Sequence, residues 1–442
     1  MLLKYIVKNF KSIGHNIEFS MFPVKSSEDK RYLTTINTKM GKWEVLRRGA
    51  LFGPNASGKS SFIQSVDFAR DYIVEGQKSG RPTGINQFKG KFDDVGDTST
   101  FQFMFYLNGE VYDYGFTIDT QKVHEEWLMV LTKDEFRPMF IRETGQNDIT
   151  TIDIKSLFAR ANSKDRNLAE VLKDSLQENQ KNQLFLYKLA DNGVRKAEII
   201  MEWFSNIQVI FPNSKIKMLP MKVMTDDDLR HYLSDKLNGS DTGVSQLLAK
   251  SKEVTFKELA EKMDISDDEV AIIQSKKSGI VEIGRKLFLF SEKNKQTQFI
   301  QLKFEHILND RKVEFNIDDE SDGTQRLLDL LPMLFKLSEG NMMYFVDELD
   351  RSLHTKLSKH FVSTFAQDSN NSTNQLVFTA HDVNLIALDD MRQDEIWFLE
   401  KSNLGETKIK PFSDFTIEKK YDTVKAYLAG RFGAVPNLKE GL

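Results

Sequence analysis

Gly53-Pro54-Asn55-Ala56-Ser57-Gly58-Lys59-Ser60, set between the strand-like Ala50-Leu51-Phe52 and a helical run opening at Ser61, decides how this chain reads. Glycines let a loop wrap closely round an anion. Backbone N–H groups at a helix amino terminus then point at that anion with the peptide dipoles behind them. The pattern G-x-x-x-x-G-K-[S/T] adds a lysine long enough to reach β- and γ-phosphates and a hydroxyl that holds Mg²⁺. A chance match in a chain this long has a probability of about 0.02 before the strand–loop–helix context is required. Gly53, Pro54, Asn55, Ala56, Ser57, Gly58, Lys59, Ser60 and Ser61 are therefore candidate nucleotide-binding residues, with Lys59 on the β/γ-phosphates and Ser60 on the metal.

Three further stretches fit the same chemistry. Met342-Met343-Tyr344-Phe345-Val346-Asp347-Glu348 is an apolar run ending in two carboxylates, as a buried strand delivering acids to its carboxyl-end crevice would be. Asp347 suits Mg²⁺ and Glu348 suits polarisation of an attacking water. Gln375-Leu376-Val377-Phe378-Thr379-Ala380-His381 is a second apolar strand with a polar tip, and His381 is placed to meet the γ-phosphate and water from a neighbouring strand end; alone it would read as an ordinary surface or core histidine. Glu320-Ser321-Asp322-Gly323-Thr324-Gln325-Arg326 precedes a helix, and Ser321 with Gly323 is by itself no more than a helix cap.

Outward from these motifs, the texture divides the chain into three. Residues 1–154 alternate short β-type runs with polar turns; 101–107 and 111–118 flank Asn108-Gly109, a hairpin signal because Asn-Gly tolerates positive φ. Residues 155–290 look helical, over Leu168–Leu189, Val194–Ile210, Asp226–Leu237 and Phe256–Ala260, without the sustained heptads of a long coiled-coil arm. Residues 291–442 alternate strands and helices again, with strands expected at Gln298–Phe304, Val313–Ile317, Met342–Val346, Leu376–Phe378 and Ile396–Leu399, and a helix over Gly323–Ser338. The expected fold class is α/β, a mixed sheet with flanking helices split by a helical insertion.

Composition narrows the possibilities. Among 442 residues there is no cysteine, which excludes disulfides, thiol catalysis and Cys-based metal sites and points to the reducing cytoplasm. A net charge of −4 gives no global basic field, so nucleic acid is neither predicted nor excluded. The amino terminus is punctuated by Lys4, Lys8 and Lys11 and lacks a secretion signal's core. The best apolar run, Leu327–Phe335, contains Asp329 and Pro332, so no membrane role is expected without a partner. The acidic triplets Asp226-Asp227-Asp228, Asp267-Asp268-Glu269 and Asp318-Asp319-Glu320 read as solvated loops or helix starts, since contiguous acids on a regular element cannot all face one ion.

The four motifs, in this order and split by an insertion, resemble the ABC-type P-loop ATPase head of SMC, DNA-break-repair and OLD proteins. On that resemblance Gly53–Ser60 matches Walker A, Ser321–Gln325 the signature, Asp347-Glu348 Walker B and His381 the H-loop. Val7-Lys8-Asn9-Phe10-Lys11-Ser12 is similar to the head's first strand, which makes Lys11 a nucleotide-site candidate. The resemblance implies an ATPase whose Ser-x-Gly signature completes the γ-phosphate site of another copy, so that heads pair on ATP as a homo-oligomer and part on hydrolysis. Two positions depart from the pattern: His354 stands where the D-loop has Asp, and the Q-loop glutamine has no secure match, Gln87 standing in for it.

The stretches Asp347–His354, Ile396–Lys401 and Tyr427–Pro436 are similar to bacterial RloA/AbiLi-type ATPases. That branch implies a sensor or regulator of a partner effector encoded nearby, a Toprim-like nuclease or toxin, in antiphage abortive infection. The stretch after His381 is too short for the Toprim domain of OLD nucleases, so the effector is expected on another chain. The alternative is an SMC-like DNA-maintenance ATPase that clamps or moves nucleic acid; a transporter-energising subunit fits the helical insertion and the Arg-Phe-Gly tail less well.

Overall fold

The computed structural model describes residues 1–24, 32–90, 92, 95–133, 135–145, 147–154, 163–178, 180–254, 278–283, 285–291, 296–335, 337, 340–367, 373–386, 391–415 and 423–435. They form two compact units, one of Met1–Pro212, Leu337–Asp350 and Lys359–Leu442, the other of Asn213–Lys336 and Arg351–Ser358.

The first unit is built on two sheets. One has six strands in the order Ile207–Ile210, Met343–Val346, Gln375–Ala380, Arg48–Phe52, Ile396–Lys401, Thr407–Pro411. The first five run parallel and the last antiparallel. Every residue of Met343–Val346, Gln375–Ala380 and Arg48–Phe52 is buried, as parallel strands covered on both faces must be. Those three strands are neighbours, so the segments that leave their carboxyl ends, at Gly53, Asp347 and His381, leave from one edge of the sheet.

The second sheet has seven antiparallel strands, Thr150–Ile154, Glu135–Thr144, Val123–Thr132, Glu110–Ile118, Ser99–Leu107, Leu2–Lys8 and Ile17–Ser20. The expected hairpin forms through Asn108 (φ 50°) and Gly109 (φ 82°), both left-handed as a two-residue turn requires. The helix Lys59–Val74 shares one core with both sheets: Phe62, Val66 and Ala69 join Tyr5, Phe101 and Phe103 of one and Leu51, Phe345 and Val377 of the other. The Phe62 ring meets Tyr5 at 5.7 Å and Phe19 at 5.4 Å. Burying each such ring stabilises the fold by about 1.5–3 kcal/mol and fixes the helix that carries Lys59.

The second unit holds a sheet ordered Val244–Val254, Gln296–Leu308, Lys286–Ser291, Ser278–Ile283, with Arg311–Asn316 also paired to Gln296–Leu308. Its helices include Leu219–Thr225, Asp227–Asn238 and Asp322–Leu330.

The expectation of helix across 155–290 therefore holds only in part. Helices occupy Ser163–Glu178, Phe185–Asp191, Arg195–Ser205 and Asp227–Asn238, the last capped by Asp226, whose carboxylate accepts the Leu229 N–H at 2.9 Å. The chain turns to strand at Val244–Val254, Ser278–Ile283 and Lys286–Ser291. Phe256–Ala260 and Asp267-Asp268-Glu269 lie outside the described residues. The helix expected over Val194–Ile210 stops at Ser205, and Ile207-Gln208-Val209-Ile210, with β-branched Ile207, Val209 and Ile210, adds a strand beside Met343–Val346; pairing to a parallel neighbour outweighs continuation of the helix. The helix expected from Gly323 breaks between Leu330 and Pro332, where proline has no N–H to give.

Candidate functional site

The loop after Arg48–Phe52 is shaped by two close approaches. A Cβ on Gly53 would lie 2.3 Å from the Leu399 carbonyl oxygen, and one on Gly58 (φ 106°) would lie 2.0 Å from Thr407 Oγ1. Only glycine fits either position. Thr407 Oγ1 in turn donates to the Ser57 carbonyl (2.9 Å) and lies 2.8 Å from Ser12 Oγ, and the Thr407 N–H donates to the Ser12 carbonyl (2.8 Å). The strands Ile396–Lys401 and Thr407–Pro411 thus press the loop into its curve. Asn55 and Ala56 are exposed, Pro54, Ser60 and Ser61 half-buried, and Ser57 buried.

Lys59 is buried, and its ammonium donates to the carbonyls of Gly53 (2.6 Å) and Pro54 (3.1 Å). Burial pulls its pKa below the ordinary lysine value, against the opposing charges of Asp347, Glu348 and Asp350. The cation is held inside the loop, where a phosphate oxygen could replace the two carbonyls.

On the neighbouring strands, Thr379 ties the acids together. Its hydroxyl donates to Asp347 Oδ1 (2.7 Å) and accepts the Glu348 N–H (2.7 Å), and its carbonyl accepts the Leu349 N–H (3.0 Å). Asp347 is 3% exposed, and its N–H donates to the Ile210 carbonyl at 2.9 Å. Glu348 adopts φ 49°, a left-handed conformation that costs a non-glycine residue about 1–3 kcal/mol and belongs to tightly determined sites. Its Oε1 lies 3.8 Å from His381 Nε2, with both side chains open to solvent. The Asp350 carboxylate accepts the N–H groups of His381 (2.9 Å) and Asp382 (2.6 Å). Hydrogen bonds to a charged group are each worth about 1.5–3 kcal/mol.

Lys59, Asp347, Glu348 and His381 are thus brought to one sheet edge. The Ser60 hydroxyl and the Asp347 carboxylate are hard oxygen donors of the kind Mg²⁺ takes, so the residues present fit that ion. Lys11 adopts φ 48°, and its ammonium donates to Gln64 Oε1 (2.8 Å) on the loop helix, beyond Ser60. Gln87 is spent on the Asp97 carbonyl (2.6 Å).

Ser321 and Gly323 belong to the second unit. Ser321 caps Asp322–Leu330, its Oγ accepting the Thr324 N–H at 3.1 Å. Ser321 and Asp322 are exposed, so the amino end of this helix is open to solvent. A Cβ on Gly323 would approach the Ser352 carbonyl oxygen to 2.9 Å. His354 is exposed and accepts the Lys356 N–H (3.1 Å) at the start of Thr355–Gln367, where the expected Asp would also cap.

The sequence reading missed Asp350, Thr379 and Thr407. Thr379 and Asp350 sat inside quoted motifs, but their partners, the Asp347 carboxylate and backbone groups of another strand end, lie far off in sequence, and residue type alone does not announce such contacts.

A family model described as "AAA domain, putative AbiEii toxin, Type IV TA system" matches residues 50–387. No curated protein matches the chain. Among solved structures, the chain is similar to the SMC head domain from Thermotoga maritima, at 13% identity over 93% of this chain and 98% of that one, TM-score 0.37. It is also similar to an SmcHead bound to the C-winged helix domain of ScpA, at 11% identity over 92% and 96%, TM-score 0.42. No helix among the described residues is long and apolar enough to cross a membrane.

Proposed function

This chain belongs to the AAA-domain family whose description names a putative AbiEii toxin and a type IV TA system, and on that premise we propose that it binds and hydrolyses ATP at Gly53–Ser61 in a site completed by a second copy. The observation that carries the reading is the convergence of Lys59, Asp347, Glu348 and His381 on one sheet edge, with Glu348 and His381 3.8 Å apart. Lys59 exchanges its two loop carbonyls for β/γ-phosphate oxygens. Glu348 takes the proton of the attacking water, and His381 faces the γ-phosphate. Ser60 and Asp347 would hold Mg²⁺, which when bound would supply neutralisation of phosphate charge. The helix end at Ser321 and Gly323, exposed at Ser321 and Asp322, approaches the γ-phosphate of the other copy with its amino-terminal dipole. These contacts exist only in the pair, so ATP favours pairing and hydrolysis releases it.

The finer reading is a sensor or regulator of a partner effector in antiphage abortive infection, supported by the RloA/AbiLi-like stretches and by the family's toxin description. Co-expression with the product of the neighbouring gene should reduce phage plaques, and Lys59→Ala should remove that protection. DNA-stimulated turnover with salt-dependent DNA binding by the chain alone would instead favour the nucleic-acid clamp.

A mixing experiment tests the composite site. Lys59→Ala and Ser321→Arg should each abolish hydrolysis, the second without loss of ATP binding to the monomer. An equal mixture should recover roughly a quarter of the parent rate, because half the pairs are mixed and each mixed pair has one intact site of two. No recovery, or normal turnover by Ser321→Arg alone, would sink composite-site catalysis.

A further inference from the structure

The segments 348–350 and 379–382 are joined nearly residue by residue. Glu348 N–H meets Thr379 Oγ1, Leu349 N–H meets the Thr379 carbonyl, and one oxygen of Asp350, Oδ2, takes the N–H groups of both His381 and Asp382. The strand Gln375–Ala380 has ended by then, so these two amides are the first beyond its ladder. Asp382 next accepts the Asn384 N–H at 2.9 Å and starts the turn Val383–Leu385. The other oxygen, Asp350 Oδ1, is buried with no hydrogen-bond partner among the described residues. Its charge acts on Lys59 together with those of Asp347 and Glu348, which puts Asp350 in the same cluster as the residues above.

We infer that Asp350 is a positioning residue for hydrolysis: it fixes the turn that presents the His381 imidazole to Glu348 and the γ-phosphate. Its consequence for rate rests on the ATPase reading above; its geometry does not. A backbone turn held by two charge-assisted bonds has little freedom to drift, and a displacement of about 1 Å at a reacting group can cost on the order of 100-fold in rate. No bond to substrate is assigned to Asp350, which acts through His381.

The test uses the full chain and the variants Asp350→Ala, Asp350→Asn, His381→Ala and the double Asp350→Ala/His381→Ala. Asp350→Ala should lower kcat about 10- to 100-fold while KM for MgATP stays within about threefold of the parent. Asp350→Asn should recover most of that loss, since its amide oxygen accepts the same two N–H groups. The double variant should be no slower than His381→Ala, and additive losses would show that Asp350 acts elsewhere.

A second readout needs no hydrolysis. In histidine-labelled, nucleotide-free protein, the His381 ring resonance, assigned with His381→Gln among the 7 histidines, should move in Asp350→Ala and return toward its parent position in Asp350→Asn. An unmoved resonance in an active parent overturns the positioning role and leaves the ATPase reading standing; a moved resonance in an inactive parent does the reverse. Should the alanine variant not fold, amide exchange in the parent decides, with slow exchange at His381 and Asp382 expected and fast exchange overturning the inference.

Discussion

Lys59 carries more of the proposed chemistry than any other residue, and its surroundings explain how. A buried ammonium needs acceptors, and it finds two carbonyls of its own loop. Incoming phosphate offers charged acceptors in their place, a stronger partnership in the same desolvated position. We expect Lys59→Ala to leave the fold intact, because among the described residues the side chain's hydrogen bonds go to the loop, and to abolish measurable ATP binding in calorimetry, a loss on the order of 3 kcal/mol or more. Retained affinity would show that the backbone N–H groups suffice. Gly53 and Gly58 are constrained from the other side: the carbonyl of Leu399 and the hydroxyl of Thr407 already occupy the space a Cβ would take.

At the scale of elements, the seven-stranded sheet is fastened to the helix Phe185–Asp191 by a fully buried acid. Glu126 accepts the N–H groups of Phe185 (2.6 Å) and Leu186 (2.9 Å) and the Tyr114 hydroxyl (3.0 Å), and lies 3.6 Å from the Arg142 guanidinium. Arg142 also donates to the carbonyls of Lys181 (3.0 Å) and Gln183. Both side chains are 0% exposed, so neither can turn to water if its partner is removed. Glu126→Leu should therefore destabilise the chain by about 3–5 kcal/mol, read as a lower denaturation midpoint with the slope unchanged. A loss below about 1 kcal/mol would mean that the pair behaves as a surface bridge.

For the molecule as a whole, the proposed cycle is an equilibrium between single and paired copies that ATP shifts and hydrolysis resets. Glu348→Gln should keep ATP bound and hold the pair, because the glutamine preserves shape while losing the base. Light scattering should then report the dimer mass with ATP and the monomer mass without it. Normal turnover by this variant would remove Glu348 from its assigned role. The exposed Ser321 and Asp322 at a helix amino terminus are the part of the chain that such a pair would cover.

How much of this was legible in the sequence follows the range of the interactions. The loop at Gly53–Ser60, the buried strands ending at Val346 and Ala380 and the Asn108-Gly109 turn were readable because each is specified by consecutive residues: glycine conformation, an unbroken apolar run, tolerance of positive φ. Val244–Val254, placed in the expected helical insertion, is a strand because Gln296–Leu308 pairs with it, and Ile207–Ile210 is one because Met343–Val346 lies alongside. Short apolar segments suit helix and strand alike, and only a partner distant in sequence chooses between them. The same holds at the site. That the strands leading to Lys59, Glu348 and His381 would end together was expected from the motifs, but that Thr407 shapes the loop and that Asp350 holds the turn of His381 was decided by tertiary contacts, since a side chain bonded to distant backbone leaves no pattern in its own neighbourhood.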